Sequence, residues 1–277
     1  MRTGRQQYLA SFLQTAGSCS KMKLAKAFFL LKSEKSVLLH GKFYSFVPYK
    51  FGPYSFELFH DLDLLEQAGV VRTDKNTVTI EDDKDPVAFL PQPLLDYFNT
   101  VSRQSDRQLI DYVYAHYPEY TIFSSIEKKV EYTRDRTGIL TIGYEGCSID
   151  EFLHHLITDK TQVLVDVRNN PWSMKYGFTK GTLMSFCEKL GIEYLGAPML
   201  GVPRAQRASL QTNEDYRRLF TIYRKYLTTR REEVEKLAEL SSKKRLALVC
   251  FEKDPMCCHR HVLGEELRKH GAEVTIK

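Results

Sequence analysis

Residues 163–171 read VLVDVRNNP: four apolar positions around a single Asp, then Arg, two Asn and Pro. A short apolar run closed by turn-forming residues reads as a strand buried on both faces. Residues 246–251 (LALVCF) have the same character, and Ile139–Ile142 forms a third run. Helical spacing lies between them, at Ile149–Ile157, at Lys180–Leu190 and from Asn213 to Leu240. A short strand at Glu193–Leu195, a helix at His259–His270 and a strand at Glu273–Ile276 complete the pattern. Strands alternating with helices predict an α/β domain over 138–277, a mostly parallel Rossmann-like sheet with helices on both faces. Ligands in such folds gather at the carboxyl ends of strands. Three polar blocks fall at such ends: Gly143-Tyr144-Glu145-Gly146, Asp166–Pro171, and Glu252 with Cys257-Cys258-His259-Arg260.

The whole chain has 277 residues, enough for two domains with proper cores. With 43% hydrophobic and 27% charged residues it is neither disordered nor a low-complexity protein. No apolar run reaches the roughly 18 residues of a spanning helix, and no membrane partner is expected. Six cysteines are too few and too scattered for a disulfide scaffold, and they suit a reducing, cytoplasmic setting. Residues 1–136 carry 18 Lys and Arg against 17 Asp and Glu, and residues 137–277 carry 22 against 18. The mild basic excess therefore sits in the second half. A boundary is expected in the charged segment Glu127–Gly138.

The first half predicts a small helical domain with a hairpin, over 1–85. Helices are expected around Tyr8–Leu13 and Leu24–Leu31, separated by a turn at Ala16-Gly17-Ser18, and again over Phe56–Ala68. Val70–Arg72 and Thr77–Ile80 read as a hairpin. Helices followed by a hairpin describe a winged-helix-like module, and residues 86–137 read as a helical connector and linker that packs the two halves together. The strings FVPYKFGPYS (46–55) and DLDLLEQAGVV (61–71) resemble YwgA-like and Panacea-type antitoxin modules. Helix Phe56–Ala68 has Glu57, Asp61, Asp63 and Glu66 and no Lys or Arg, so it would repel phosphates. Contact with a protein partner, or packing, is the better expectation there. Lys21, Lys23, Lys26 and Lys32 on the preceding helix read as a solvated face able at most to touch a nucleic-acid backbone.

Each polar block of the second half supports a chemical and a structural reading. Glu145, flanked by glycines, is a candidate acid or base; it could instead cap the helix near Ile149 or pair with Arg168. Asp166 and Arg168 are two apart and share one side of a strand, so Arg168 is either an anion clamp oriented by Asp166 or half of a buried ion pair. Asn169 lies beside them, and Trp172 offers a stacking face for a base or a place in the core. Cys258, His259 and Arg260 open a helix, where free N–H groups bind anions and lower a thiol pKa. Cys258 could be a nucleophile, a zinc ligand or a packing residue. Zinc would need four ligands from Cys250, Cys257, Cys258, His259 and His261 without any C-x-x-C pair, so no metal is expected, and no cofactor. The helix after Asn213 has an apolar stripe edged by Arg217, Arg224 and Arg231, a candidate ridge for a nucleic-acid backbone or an ordinary solvated surface.

The strings TIGYEG (141–146), DVRNNPWS (166–173) and LVCFEKDPMCCHRHVLGEEL (248–267) resemble the three motifs of domain-of-unknown-function family 488. The resemblance runs from about Ile139 to Lys277. It implies an α/β domain acting near nucleic acid or in defence-type gene sets, without an established reaction. The motif residues fall on Tyr144, Glu145, Asp166, Arg168, Glu252, Cys258, His259 and Arg260. The doubled Cys257-Cys258 leaves open which sulfur faces a site.

Residues and resemblance together lead to one expectation: a hydrolase directed at the base or glycosidic bond of a nucleotide or nucleic acid, DNA or RNA. Glu145 and Glu252 would be acid and base, with Asp166 and Cys258 as further catalytic candidates. Arg168 and Arg260 would hold phosphate, with Asn169 and His259 beside them, and Tyr144 or Trp172 would stack on the base. The alternative is a nucleotide or modified-base sensor that regulates DNA-associated events without turnover.

Overall fold

In the computed structural model the described residues are 4–81, 90–203, 206 and 212–276. The start of the expected connector (86–89) and the basic residues Arg204 and Arg207 lie outside them. The chain forms two compact units, residues 1–132 and 133–277.

The first unit contains α1 (Gly4–Ala16), β1 (Ser18–Ser20), α2 (Lys21–Glu34), β2 (Val47–Tyr49), β3 (Gly52–Tyr54), α3 (Phe56–Gln67), β4 (Val71–Asp74), β5 (Thr77–Ile80), α4 (Gln92–Ser102) and α5 (Asp106–His116). Gly17 turns the chain with φ +66°, but Ser18–Ser20 then runs on as an edge strand against β5. A partner about sixty residues away leaves no local trace, so sequence reads only a turn. Ser20 ends β1 and caps α2, its hydroxyl accepting from the Lys23 N–H at 2.9 Å. Strands β4 and β5 form the expected hairpin around Lys75-Asn76. The helices at 92–116 lie within this unit and supply Leu94, Phe98, Leu109 and Val113 to its core, with the Phe98 ring edge-on to Phe12.

Two charged groups of this unit differ from expectation. Lys26 is buried, its Nζ donating to the carbonyls of Phe51 and Pro53, and Lys23 Nζ donates to the Ser102 carbonyl at 3.0 Å. Helix α2 turns these cations inward because the β2–β3 hairpin and the end of α4 offer carbonyls at those positions. The acids of α3 are also engaged: Arg5 pairs with Glu57 at 3.0 Å and with Asp61 at 2.6 Å, and Tyr44 donates to Asp61 at 2.9 Å.

The second unit contains β6 (Gly138–Gly143), α6 (Ile149–Thr158), β7 (Val163–Asp166), α7 (Lys180–Lys189), β8 (Glu193–Gly196), α8 (Asn213–Thr228), α9 (Arg231–Lys243), β9 (Arg245–Cys250), α10 (His259–Lys269) and β10 (Val274–Ile276). The five strands are all parallel in the order β10-β6-β9-β7-β8. Val163, Val165, Leu246 and Leu248 pack with Tyr223, Val234 and Leu263 of α8, α9 and α10. The oppositely directed Leu140, Leu164 and Ala247 are equally buried, so both faces of the sheet are covered.

The long helix expected from Asn213 to Leu240 is two helices. Thr228 and Thr229 return their hydroxyls to the carbonyls of Lys225 and Tyr226, and the Arg230 N–H closes on the Leu227 carbonyl. Hydroxyls that compete for carbonyls favour helix ends. Glu232 and Glu233 then occupy the first turn of α9, where acids suit the helix dipole.

Candidate functional site

The carboxyl ends of β6, β7 and β9 carry a buried polar layer and, above it, an exposed rim. Gly143 ends β6 where the chain after β9 crosses it, because a Cβ there would run into the Glu252 carbonyl. The main chain continues the contact past the strands, with the Tyr144 and Glu145 N–H groups donating to the carbonyls of Cys250 and Phe251. Glu145 Oε2 accepts from the Lys253 N–H at 3.0 Å. Glu145 is thus tied to the loop of Glu252, two carboxylate-bearing segments more than a hundred residues apart in sequence. It neither caps α6 nor pairs with Arg168: Ser148 caps α6 in a reciprocal box with Glu151.

Glu252 is half-buried, and its Oε2 accepts from the Cys250 thiol at 3.0 Å. Burial works against the charged carboxylate, but hydrogen bonds from the Cys250 and Cys258 thiols outweigh it and hold its pKa below the usual value. The Cys250 thiol is pushed well up by its contact with Cys258 and by burial.

Asp166 and Arg168 are sealed under the rim. Arg168 is 4% exposed and makes four side-chain hydrogen bonds: Nε to Asp166 Oδ1 at 2.8 Å, Nη2 to Asp166 Oδ2 at 2.6 Å, Nη1 to Tyr144 Oη at 3.0 Å and Nη1 to the Phe178 carbonyl at 2.8 Å. Tyr194 donates a further bond to Asp166 Oδ2 at 2.6 Å. Burial alone would lower the guanidinium pKa, but Asp166 raises it above its ordinary value. The phosphate-clamp role expected of Arg168 is therefore corrected: its donors already serve protein acceptors. Asp166 is engaged in the same way. Tyr144 does not offer a stacking face, because its ring lies on Phe178 with centroids 4.1 Å apart and Phe251 stands edge-on to it.

Arg260 is likewise interior, with Nη1 and Nη2 donating to the carbonyls of Glu252 and Lys253. It shapes the loop after β9 rather than facing an anion. His259 and Cys258 are buried beside it. Cys257 turns toward Asp254 in a short turn before α10, so Cys258 is the inward sulfur. With no exposed surface, Cys258 cannot attack an external substrate as it stands. His261 is occupied structurally, Nδ1 at 2.6 Å from the Cys258 carbonyl and its ring against Phe220.

The rim above is open. Trp172 is 66% exposed, and Met174, Met199, Phe251 and Met256 are exposed with it, all on segments that follow β7, β8 or β9. A core position for the single tryptophan is excluded. Asn169 is exposed and weakly bonded to the Pro198 carbonyl at 3.4 Å. Lys175 reaches back to the Tyr144 carbonyl at 3.0 Å, and Lys253 is exposed beside Glu145. Tyr216 of α8 has its pKa raised by burial and by the charges of Cys257, Glu252 and Glu145.

Sequence reasoning assigned no site role to Lys175, Lys253, Tyr216 or Tyr194, and named Cys250 only among the possible zinc donors. Cys250 and Lys253 were findable from their places in LVCFEK (248–253), whereas Tyr216 reads only as one member of an apolar stripe. The expected arginine ridge is not continuous. Arg231 belongs to α9, and the three arginines have acidic partners: Arg217 with Glu214 at 3.9 Å, Arg224 with Glu265 at 2.9 Å and Arg231 with Glu235 at 2.7 Å. Exposed pairs of this kind are weak and exchange readily.

An open, all-parallel five-stranded sheet covered by helices on both faces defines an α/β domain. Residues 148–267 of this unit match the family model described as domain of unknown function DUF488. The matched span contains the DVRNNPWS and CFEKDPMCCHRH segments, while TIGYEG lies just before it. No curated protein and no solved structure matches the chain. Among the described residues no helix is long and apolar enough to cross a membrane.

Proposed function

We propose that the second unit is a hydrolase acting on a nucleotide or a nucleic-acid base, with its reaction centre between Glu145 and Glu252. The observation that carries this reading is the bond from the Lys253 N–H to Glu145 Oε2, which holds the two carboxylate-bearing loops together. Hydrolysis at a glycosidic or related carbon needs one group to activate water and one to protonate the leaving group. Glu252 suits the base, and Glu145, whose Oε2 is already held by the Lys253 N–H, suits the acid through its other oxygen. Trp172 and Phe251 supply stacking faces, and Lys175 and Lys253 supply the positive charge first looked for in Arg168 and Arg260. The first unit is read as a winged-helix-like accessory module. The engagement of the α3 acids by Arg5 and Tyr44 suits a protein contact there better than DNA reading.

One observation favours a second reading, a nucleotide or modified-base sensor without turnover. Arg168 and Arg260, the two arginines expected to hold an anion, donate instead to Asp166 and to the Lys253 carbonyl, and guanidinium groups so committed are not directed at charge developing in a transition state. A single experiment separates the two. The protein is incubated with single-stranded DNA, duplex DNA, RNA and free nucleotides, and products are read by mass spectrometry. The hydrolase reading expects a released base or cleaved nucleotide that disappears in Glu252→Gln while ligand binding persists. Binding without any product leaves the sensor.

A further inference from the structure

Strand β9 delivers Cys250 as its last residue, the turn at 255–257 brings the chain back, and α10 starts with Cys258 as its cap and His259 as its first residue. This connection packs three donor atoms together: the two sulfurs and one imidazole nitrogen lie within 4.8 Å of one another, on residues that are all buried. The His259 Nδ1 atom is 3.7 Å from Cys250 Sγ and 4.0 Å from Cys258 Sγ. Around a tetrahedral zinc ion, with Zn–S about 2.3 Å and Zn–N about 2.0 Å, the edge between a sulfur and a nitrogen is about 3.6 Å. The two sulfur–nitrogen edges of the cluster are therefore already close to those of such a tetrahedron.

The His259 ring packs edge-on to Tyr223, which leaves the Nδ1 edge toward the sulfurs. The His259 ring is buried and its Nε2 has no hydrogen-bond partner among the described residues. The ring is thus not there to bridge two protein groups, and its other edge is the one directed at the two sulfurs. Charge also balances: two thiolates, a neutral imidazole and a divalent cation sum to zero, which lowers the cost of burial. Glu252 Oε2 lies 3.0 Å from Cys250 Sγ, so the cluster is bordered by a carboxylate.

We propose that Cys250, Cys258 and His259 Nδ1 form a binding site for a thiophilic divalent cation of the zinc class, with its fourth position toward Glu252. Binding displaces the two thiol protons to solvent and involves no change of oxidation state. Three protein ligands with one further position is the arrangement of zinc centres that keep a place for water or substrate. The assignment does not depend on Glu145 and Glu252 acting as acid and base.

The test uses the full-length protein, stripped with a chelator and then given zinc or cobalt salt alone. A single ion per chain is expected to survive gel filtration, and the cobalt form should show the intense near-ultraviolet band of thiolate-to-metal charge transfer. Cys258→Ser and Cys250→Ser should each lose at least tenfold in metal affinity, while Cys257→Ser, one residue away, keeps the wild-type value. Folded wild-type protein that retains neither metal overturns the proposal, as does a cobalt form without the thiolate band. A loss in Cys257→Ser equal to that in Cys258→Ser also overturns it. The wild-type measurements stand even where a buried serine prevents folding. Because no substrate enters the assay, failure of the hydrolase reading leaves this result untouched, and the converse holds.

Discussion

Arg168 and Asp166 close on each other through two parallel hydrogen bonds, Nε to Oδ1 and Nη2 to Oδ2, with both side chains almost fully buried. The same guanidinium holds the Tyr144 hydroxyl and the Phe178 carbonyl, and the same carboxylate receives Tyr194. These bonds fasten the end of β7 to the loops after β6 and before α7 and to β8. The relationship is architectural, and it fixes the floor on which the exposed rim stands.

Removal of one partner from that pair leaves the other charge buried without compensation, at a cost of about 3–5 kcal/mol. Arg168→Ala is expected to lower stability by that amount, read as a fall in the urea midpoint. Arg168→Lys should recover only part of it, because an ammonium cannot make the parallel pair of bonds. A variant that unfolds at the wild-type midpoint but binds a nucleotide more weakly would instead return Arg168 to the role of anion clamp.

Trp172 makes the opposite prediction. It is largely exposed, so Trp172→Ala should change stability by no more than about 0.5 kcal/mol. If the rim stacks a base, the same change should weaken binding by about 1–3 kcal/mol, roughly five- to 150-fold. As the chain's single tryptophan it also reports directly: its fluorescence should shift on titration with nucleotide or single-stranded nucleic acid. An unaltered spectrum in the presence of demonstrated binding would place the ligand elsewhere.

The sheet was legible because VLVDV and LALVCF are apolar at every position but one, and parallel strands buried on both faces impose that pattern. The convergence of Glu145 with Glu252 followed from the same topology, since parallel strands present their carboxyl ends along one edge. What sequence could not rank was depth. Arg168 and Trp172 are four residues apart in one polar loop, yet one is sealed and the other open: Asp166 and Tyr144 engage the Arg168 guanidinium, while Trp172 is left 66% exposed. The cysteine cluster was unranked for a related reason: Cys250, Cys258 and His259 stand among five possible zinc donors without a C-x-x-C pair, and only the turn at 255–257 brings these three together.

Gly143 gives a local test of that turn. Its added Cβ would meet the Glu252 carbonyl and crowd Arg260 Nη1, and neither can withdraw easily, because Arg260 is buried against that same carbonyl. Gly143→Ala should therefore cost about 1–3 kcal/mol through overpacking. It should also displace Glu252, so any activity or metal affinity that uses the loop after β9 should fall beyond the stability loss. Gly146→Ala is the control for loop backbone: φ is +78° there but a Cβ meets nothing within 4 Å, so strain alone is expected. Equal effects from the two substitutions would deny the close crossing of strand and loop.

Lys26 yields a prediction about pH. Burial lowers its pKa from the ordinary 10.5 to about 7, and its ammonium rests on the carbonyls of Phe51 and Pro53. Below pH 7 the amine is protonated in both folded and unfolded chains, and the buried charge opposes folding at its full cost. Between about pH 7 and 10.5 the unfolded chain holds a proton that the folded chain releases, so stability rises with pH through this window. The steepest slope from one such group is about 1.4 kcal/mol per pH unit. In Lys26→Met that contribution disappears, although the two carbonyls lose their donor, so the absolute stability can fall while the slope flattens. Urea titrations of wild-type and Lys26→Met at pH 7, 8 and 9 should show the gap shifting in favour of wild type as pH rises. A gap that is constant across this range would mean that Lys26 keeps its charge in the folded protein, held by the two carbonyls more strongly than burial disfavours it.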